Sequence, residues 1–243
     1  MRASKWRHVL IGDISLLDKL RSCPLERPVH IKDQTTLDND LRRTFPLDAW
    51  FNKKEHLRNL STILMVYADT NPTIGYAQGM CFIVFLLYKV YYNDCPKHAV
   101  ADTYYSLYTI MKYIRPLYPR DEHDESINPW LASTSSIIRL KLLYHSPKLA
   151  IRLRGTGFIK LMLIKLGPTL FANWFSCEDT VLLWDHIFNE DIFDRVLNVL
   201  TAMIMVNKEL YMNLSDEKIL HITSVKSFYK ISSVVSCAHI LLR

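Results

Sequence analysis

The chain has 243 residues, of which 49% are hydrophobic and 22% charged, which excludes a disordered polymer and suits a globular protein with a substantial core. Only six glycines occur, which argues against a β-barrel or turn-rich sandwich and for helices joined by short connections. The formal charge of +6 is spread along the chain; its nearest approach to a basic stretch, Ile151 to Lys165, alternates cations with core-type residues and reads as a solvated face, leaving weak attraction to an anionic membrane or an acidic partner open.

In chain order, the N-terminal run MRASKWRHVLIGD lacks the long apolar stretch of a secretory signal. LRNLSTILMVYAD sets Leu57, Leu60, Leu64 and Tyr67 on one helical stripe. A helix from Gly79 to about Tyr92 is apolar nearly all round and is expected at the centre of the fold; its longest apolar run, Met80 to Tyr88, is about half a membrane span. Ala99 to Ile114 reads as a further helix, followed by a loop marked by Pro116 and Pro119. The acidic group Asp121, Glu122, Asp124 and Glu125 continues that loop without calcium-ligand spacing and reads as solvated surface. Helices are expected over about Pro129 to Tyr144 and Pro147 to Arg154, then at TVLLWDHIF, at DRVLNVLTAMIMVNKELYM, and more weakly from Asp216. Alternating strand patterns are short and few. The expectation is one all-α, multi-helix domain, with residues 1–215 as its main body and 216–243 as a C-terminal helical extension of it.

The five cysteines are scattered, odd in number and without CxxC, so neither a disulfide framework nor a zinc site is expected and a reducing compartment fits. The nine histidines form no HExxH. No GxxxxGK[ST] nucleotide loop and no GxSxG elbow occurs.

Two polar motifs stand at the edges of apolar segments. In LDNDLRRTFP, Leu37 to Pro46, Asp40 and Arg43 lie three apart and share a helical face, so the carboxylate can orient the guanidinium. Pro46 disfavours helix at Phe45, so the turn should stop near Thr44 and leave Arg43 at the end of its element. The plain alternative is a surface ion pair worth under ~1 kcal/mol, and composition does not choose between Arg42 and Arg43. In NPTIGYAQGM, Asn71 to Met80, the proline and two glycines mark an irregular segment that brings Gln78 to the start of the apolar helix. Its amide offers one acceptor and two donors, enough to hold a water, or it caps helix N–H groups.

Together these motifs closely resemble the signature of the TBC domain, the Rab GTPase-activating domain, whose pattern is IxxDxxRTFP followed by YxQGM. Asp40, Arg43, Thr44, Phe45, Pro46, Tyr76, Gln78, Gly79 and Met80 match, with Leu37 in place of Ile. Arg2 to Trp6 resembles the family's opening RxxxW, and Asn173 to Phe175 with Val181 to Phe188 resemble its late W-F and WD elements, so the resemblance spans about residues 1 to 210. It implies that Arg43 is an arginine finger and Gln78 a glutamine finger, both entering the active site of a Rab in its GTP form. Arginine supplies a permanently charged fork to the transferring phosphoryl group, worth ~10³–10⁵ in rate, or roughly 4–7 kcal/mol. The glutamine would hold the attacking water. Asp40, Thr44, Tyr76, Gly79 and Met80 would support the fingers.

The resemblance further implies no metal and no cofactor of the chain's own, since GTP and Mg²⁺ belong to the partner. It also implies no nucleic acid, a role in vesicle trafficking, and a cytoplasmic location, peripheral at endomembranes at most. Trp6, Trp174 and Trp184 read as core, and Trp50 stays open between packing and a partner surface. Two departures from the pattern occur. The stretch between Trp174 and Trp184 is roughly eight residues shorter than the family's, and the chain starts directly at RxxxW. A shortened member is thus implied, in which helices beside the gap shift or core surface is left open. The alternative reading is a TBC-like module that binds a GTPase or scaffold without accelerating hydrolysis.

Overall fold

The computed structural model describes residues 2–44, 48–118, 127–189, 191–222 and 229–241. Phe45, Pro46 and the acidic group Asp121, Glu122, Asp124 and Glu125 lie outside the described residues. Among those described, every regular element is helical, as the composition and periodicity led us to expect. The backbone gathers into two compact units, 1–122 and 123–243.

The first unit comprises α1 (Arg2–Leu10), α2 (Ile14–Ser22), α3 (Gln34–Arg43), α4 (Lys54–Thr70), α5 (Met80–Asp94) and α6 (Ala99–Ile114). Helix α5 packs against both α4 and α6, and its residues from Ile83 to Tyr88 are buried without a break. This is the central position that an all-round apolar helix requires, because no face of it can be given to water. Helix α3 ends at Arg43, with the Thr44 N–H on the Asp40 carbonyl at 2.9 Å, as the following Pro46 demands.

Two short helices not separately foreseen, α1 and α2, are fastened to α6 by one acid. Asp102 is fully buried. It accepts Arg7 Nε at 2.6 Å on Oδ2, and a fork from Arg21, Nε at 2.8 Å on Oδ1 and Nη2 at 2.8 Å on Oδ2. Arg7 also pairs with Asp94 at 2.7 Å. Burial by itself opposes the charge on Arg7, but the two carboxylates outweigh it and raise its pKa. Trp6, on α1, is fully buried, consistent with a core role.

Trp50 is half-buried and stacks on His56 with ring centroids 4.0 Å apart, among Phe51, Tyr88 and Tyr92. That contact places it with the packing of the first unit. His56 is buried there and accepts or donates to Tyr88 Oη at 3.3 Å; burial holds its pKa below the usual imidazole value.

The second unit comprises α7 (Ile127–His145), α8 (Pro147–Arg152), α9 (Phe158–Leu166), α10 (Cys177–Ile187), α11 (Ile192–Val206), α12 (Lys208–Asn213), α13 (Asp216–Ile222) and α14 (Ile231–Ile240). Helix α11 is its core and packs on α7 and α14. The apolar run that reads as one helix from Asp194 to Met212 breaks at Asn207, which caps the end of α11 and starts α12. The stretch that reads as solvated and basic folds in part as α9, which buries Phe158, Ile159, Met162, Leu163 and Leu166 and turns Lys160 outward.

Around the short W-F to WD connection, Leu170 and Phe171 both take positive φ (46° and 68°) while fully buried. Trp184 Nε1 donates to the Leu170 carbonyl at 2.8 Å, and Ser176 Oγ caps α10 by accepting the Asp179 N–H at 3.1 Å. Trp174, Trp184 and Phe188 are all buried, so these apolar side chains on either side of the connection are covered. No helix among the described residues is long and apolar enough to cross a membrane.

Candidate functional site

The site is built on one buried carboxylate, Asp40, in the last turn of α3. Its Oδ1 accepts Arg43 Nε at 2.7 Å and also pairs with Arg43 Nη2. Its Oδ2 accepts the Tyr76 hydroxyl at 2.6 Å and, more weakly, the Gly79 N–H at 3.3 Å. Asp40 is 2% exposed, whereas the Arg43 side chain is 57% exposed. The i,i+3 spacing thus works as expected: a fixed acid inside holds a guanidinium that stands in solvent. Arg42, also exposed, makes no such contact among the described residues, and so the two arginines are told apart by their partners.

The segment carrying Gln78 is held from both ends. Gly75 N–H and Ile74 N–H both donate to the Asn71 carbonyl, at 2.9 and 3.0 Å, closing the turn after α4. The turn Ala77 to Met80 closes with the Met80 N–H on the Ala77 carbonyl at 3.2 Å. Gly79 sits third in that turn with φ 100° and ψ −17°, the type II pattern, in which only glycine takes the third position without strain. Gln78 is therefore the apex residue, and its side chain is exposed. The capping role open to Gln78 is not taken, because Gly79 is the residue before α5 and no side chain caps that end.

Tyr76 links the loop to the core. Its hydroxyl gives its proton to Asp40, so the contact with Cys81 Sγ at 3.0 Å is one in which the thiol donates. Burial, with Cys81 and the Asp40 carboxylate beside it, drives the Tyr76 phenol far above its usual pKa. Burial likewise pushes the Cys81 thiol up to about 12, so both groups stay neutral. Thr44 and Met80 are buried beside these elements.

One residue escaped the sequence reading. Asp33 stands at the N-terminal end of α3 but caps nothing there; its Oδ2 instead accepts the Tyr76 N–H at 3.2 Å. The same oxygen explains Gly75, whose φ is +64° and at which an added Cβ would lie 2.5 Å from Asp33 Oδ2. The α3 turn and the Gln78 loop are therefore joined twice, by Asp33 and by Asp40. Among the described residues, no three His, Cys, Asp or Glu side chains gather as metal ligands.

Comparison with known proteins bears on this geometry. The profile of the Rab-GTPase-TBC domain matches residues 20–212, a span that contains both motifs. Human TBC1 domain family member 13 is 29% identical over 171 residues, covering 63% of this chain and 40% of that protein. The GTPase-activating protein MSB4 of Saccharomyces cerevisiae is 26% identical over 260 residues, covering 92% of this chain and 48% of that protein. The chain thus spans 40% and 48% of these two relatives' lengths. Among solved structures, the Ypt/Rab-GAP domain of Gyp1p superposes with a TM-score of 0.78 at 13% identity, covering 99% of this chain and 86% of that one. The Chlamydomonas flagellar RabGAP TBC domain superposes with a TM-score of 0.68 at 16% identity, covering 98% and 78%. The structures establish a shared all-α fold, and the profile match spans most of the sequence; the chain belongs to the Rab-GTPase-TBC domain family.

Proposed function

We propose that this chain accelerates GTP hydrolysis by a Rab-family GTPase in its GTP form, supplying Arg43 and Gln78 to the partner's nucleotide. What supports this is the shared carboxylate: Asp40 holds the exposed Arg43 through Oδ1 and the backbone next to the exposed Gln78 through Oδ2. An exposed guanidinium bonded to a buried carboxylate, and an exposed amide whose neighbouring backbone N–H is bonded to the same group, suit a reaction that needs charge neutralised on a phosphoryl group and a water held in line. Asp40 engages Nε and Nη2, which leaves the Nη1 end of the Arg43 fork to face a partner. GTP and Mg²⁺ would arrive with the partner. The place of action this implies is the cytoplasmic face of vesicle and organelle membranes, in the control of their traffic.

Single-turnover GTP hydrolysis across a panel of Rabs tests the reading. Arg43→Ala and Arg43→Lys should each lose ~10³-fold or more of the acceleration, since lysine lacks the fork. Gln78→Ala should lose ~10²-fold. Acceleration that survives Arg43→Ala unchanged refutes the mechanism. Binding of a Rab without acceleration by the unaltered chain would make it a docking module instead.

A further inference from the structure

We propose that the α7–α8 face of the second unit docks on an anionic bilayer surface. The sequence here is lopsided: from Ser126 to Cys177 there is no Asp or Glu, while seven Lys or Arg occur. Two of these are paired with acids from elsewhere in the unit, Lys141 with Asp194 at 2.7 Å and Arg152 with Asp216 at 2.6 Å. Arg139, Lys148, Arg154 and Lys160 are exposed and form no ion pair among the described residues.

Large apolar side chains stand among these cations. On α7, Ile137, Leu140 and Tyr144 follow one another at helical spacing on an outward face, and Ile151 projects from α8. Leu140 is 65%, Ile151 67% and Tyr144 84% exposed, so they stand clear of the unit rather than lining its core. Between the helices runs an open groove of about 420 Å³, lined by Leu140, Leu143, Ala150 and Ile151, with Arg139 and Arg154 along it. Exposed single leucines are ordinary, but a contiguous apolar patch set among unpaired cations is the composition of an interfacial surface.

The charge pattern favours lipid as the occupant. The cations come from three helices, α7, α8 and α9, and the loop between α8 and α9, as suits a diffuse layer of negative headgroups. Tyrosine is well placed at headgroup depth, with its ring in the apolar region and its hydroxyl in water. Acyl chains fill an irregular groove without needing a matching shape. The inference stands apart from the reading of Arg43 and Gln78 and survives its failure.

The test is flotation of the full chain with vesicles of phosphatidylserine and phosphatidylcholine, against phosphatidylcholine alone. Binding should require phosphatidylserine and weaken with salt. Removing two charges by Arg139→Gln with Arg154→Gln should lower partitioning about 30-fold, at ~5-fold per cation. Leu140→Ser with Ile151→Ser, which leaves the charge alone, should lower it at least about 10-fold. The pair Lys54→Gln with Arg58→Gln on α4 removes the same charge from the first unit and should keep most of the binding. No phosphatidylserine-dependent flotation, an undiminished serine pair, or an equal loss from the α4 pair would each overturn the proposal. So would a synthetic acidic amphipathic peptide that binds this face while vesicles are ignored, which would assign it to a protein partner.

Discussion

Replacing Asp40 by asparagine or by alanine should give two different outcomes, because its two oxygens serve environments of different depth. Asparagine has one acceptor oxygen and one amide nitrogen, so one side of the site must meet a donor where it had an acceptor. If the nitrogen faced inward, the buried Tyr76 hydroxyl would lose its acceptor and the Gly79 N–H would meet another donor, at about 1–3 kcal/mol for each unsatisfied group. If it faced outward, only the exposed Arg43 would be repelled, and such a half-exposed pair is worth under ~1 kcal/mol. The amide should therefore face Arg43. Adding the weaker neutral bond to Tyr76, Asp40→Asn should cost about 1–2 kcal/mol, with Tyr76 and the loop in place and Arg43 released. Asp40→Ala satisfies neither side and should cost about 3–5 kcal/mol. Urea denaturation followed by circular dichroism gives the two values. Hydrolysis assays should find Asp40→Asn at least ~10-fold impaired although it still binds a Rab, because an unaimed guanidinium loses its orientation. Equal destabilisation by the two substitutions, or full activity in Asp40→Asn, would refute this account of the carboxylate.

Gly75→Ala should destabilise by about 1–2 kcal/mol through its left-handed φ and the displaced Asp33 carboxylate. In an Asp33→Ala background that cost should shrink to the backbone term alone, and strict additivity in the double-mutant cycle would contradict the proposed contact. Asp102→Ala leaves Arg7 and Arg21 without their shared partner and should cost about 3–5 kcal/mol, read from the urea midpoint; a loss under ~1 kcal/mol would show that α1 and α2 are held by apolar packing instead. His56 is held neutral in the fold, with a pKa below 6.5. The stability it contributes is present above pH 6.5 and is lost as pH falls through the lower, folded value, at up to about 1.4 kcal/mol per pH unit. His56→Phe should flatten that slope while preserving the stack on Trp50, and an NMR titration midpoint at or above 6.5 would contradict it.

The sequence exposed those parts of the site whose cause is local. Asp40 and Arg43 are a helical turn apart, and the proline and two glycines mark the irregular segment before the apolar helix, so both could be read from the sequence. The apolar run of α5 announced its own central place. Asp33 could not be found this way: an aspartate one residue before a helix reads as a cap, and its real partner is the Tyr76 N–H, 43 positions on. Nothing in the sequence pairs Cys81 with the Tyr76 hydroxyl, a contact that only the fold makes. Asp102 did carry a signal, an acid among the apolar residues of α6, but nothing local says that two arginines from earlier helices will meet there. Helix α9 was hidden by its lysines, which stand on the outer face of a helix whose other face is all core. The break at Asn207 was hidden by apolar residues that continue the pattern on both sides of it.

The turn at Leu170 and Phe171 has a consequence for how this chain can drift. Each non-glycine residue in the left-handed region carries about 1–2 kcal/mol of strain, which glycine would relieve. Yet both side chains are fully buried, and deleting either would leave a cavity costing about 2–5 kcal/mol. The substitution that mends the backbone empties the core, and any bulky residue that fills the core keeps the strain. Single steps away from this pair therefore run uphill in both directions, and the turn occupies a local trap in sequence space from which only concerted changes lead out.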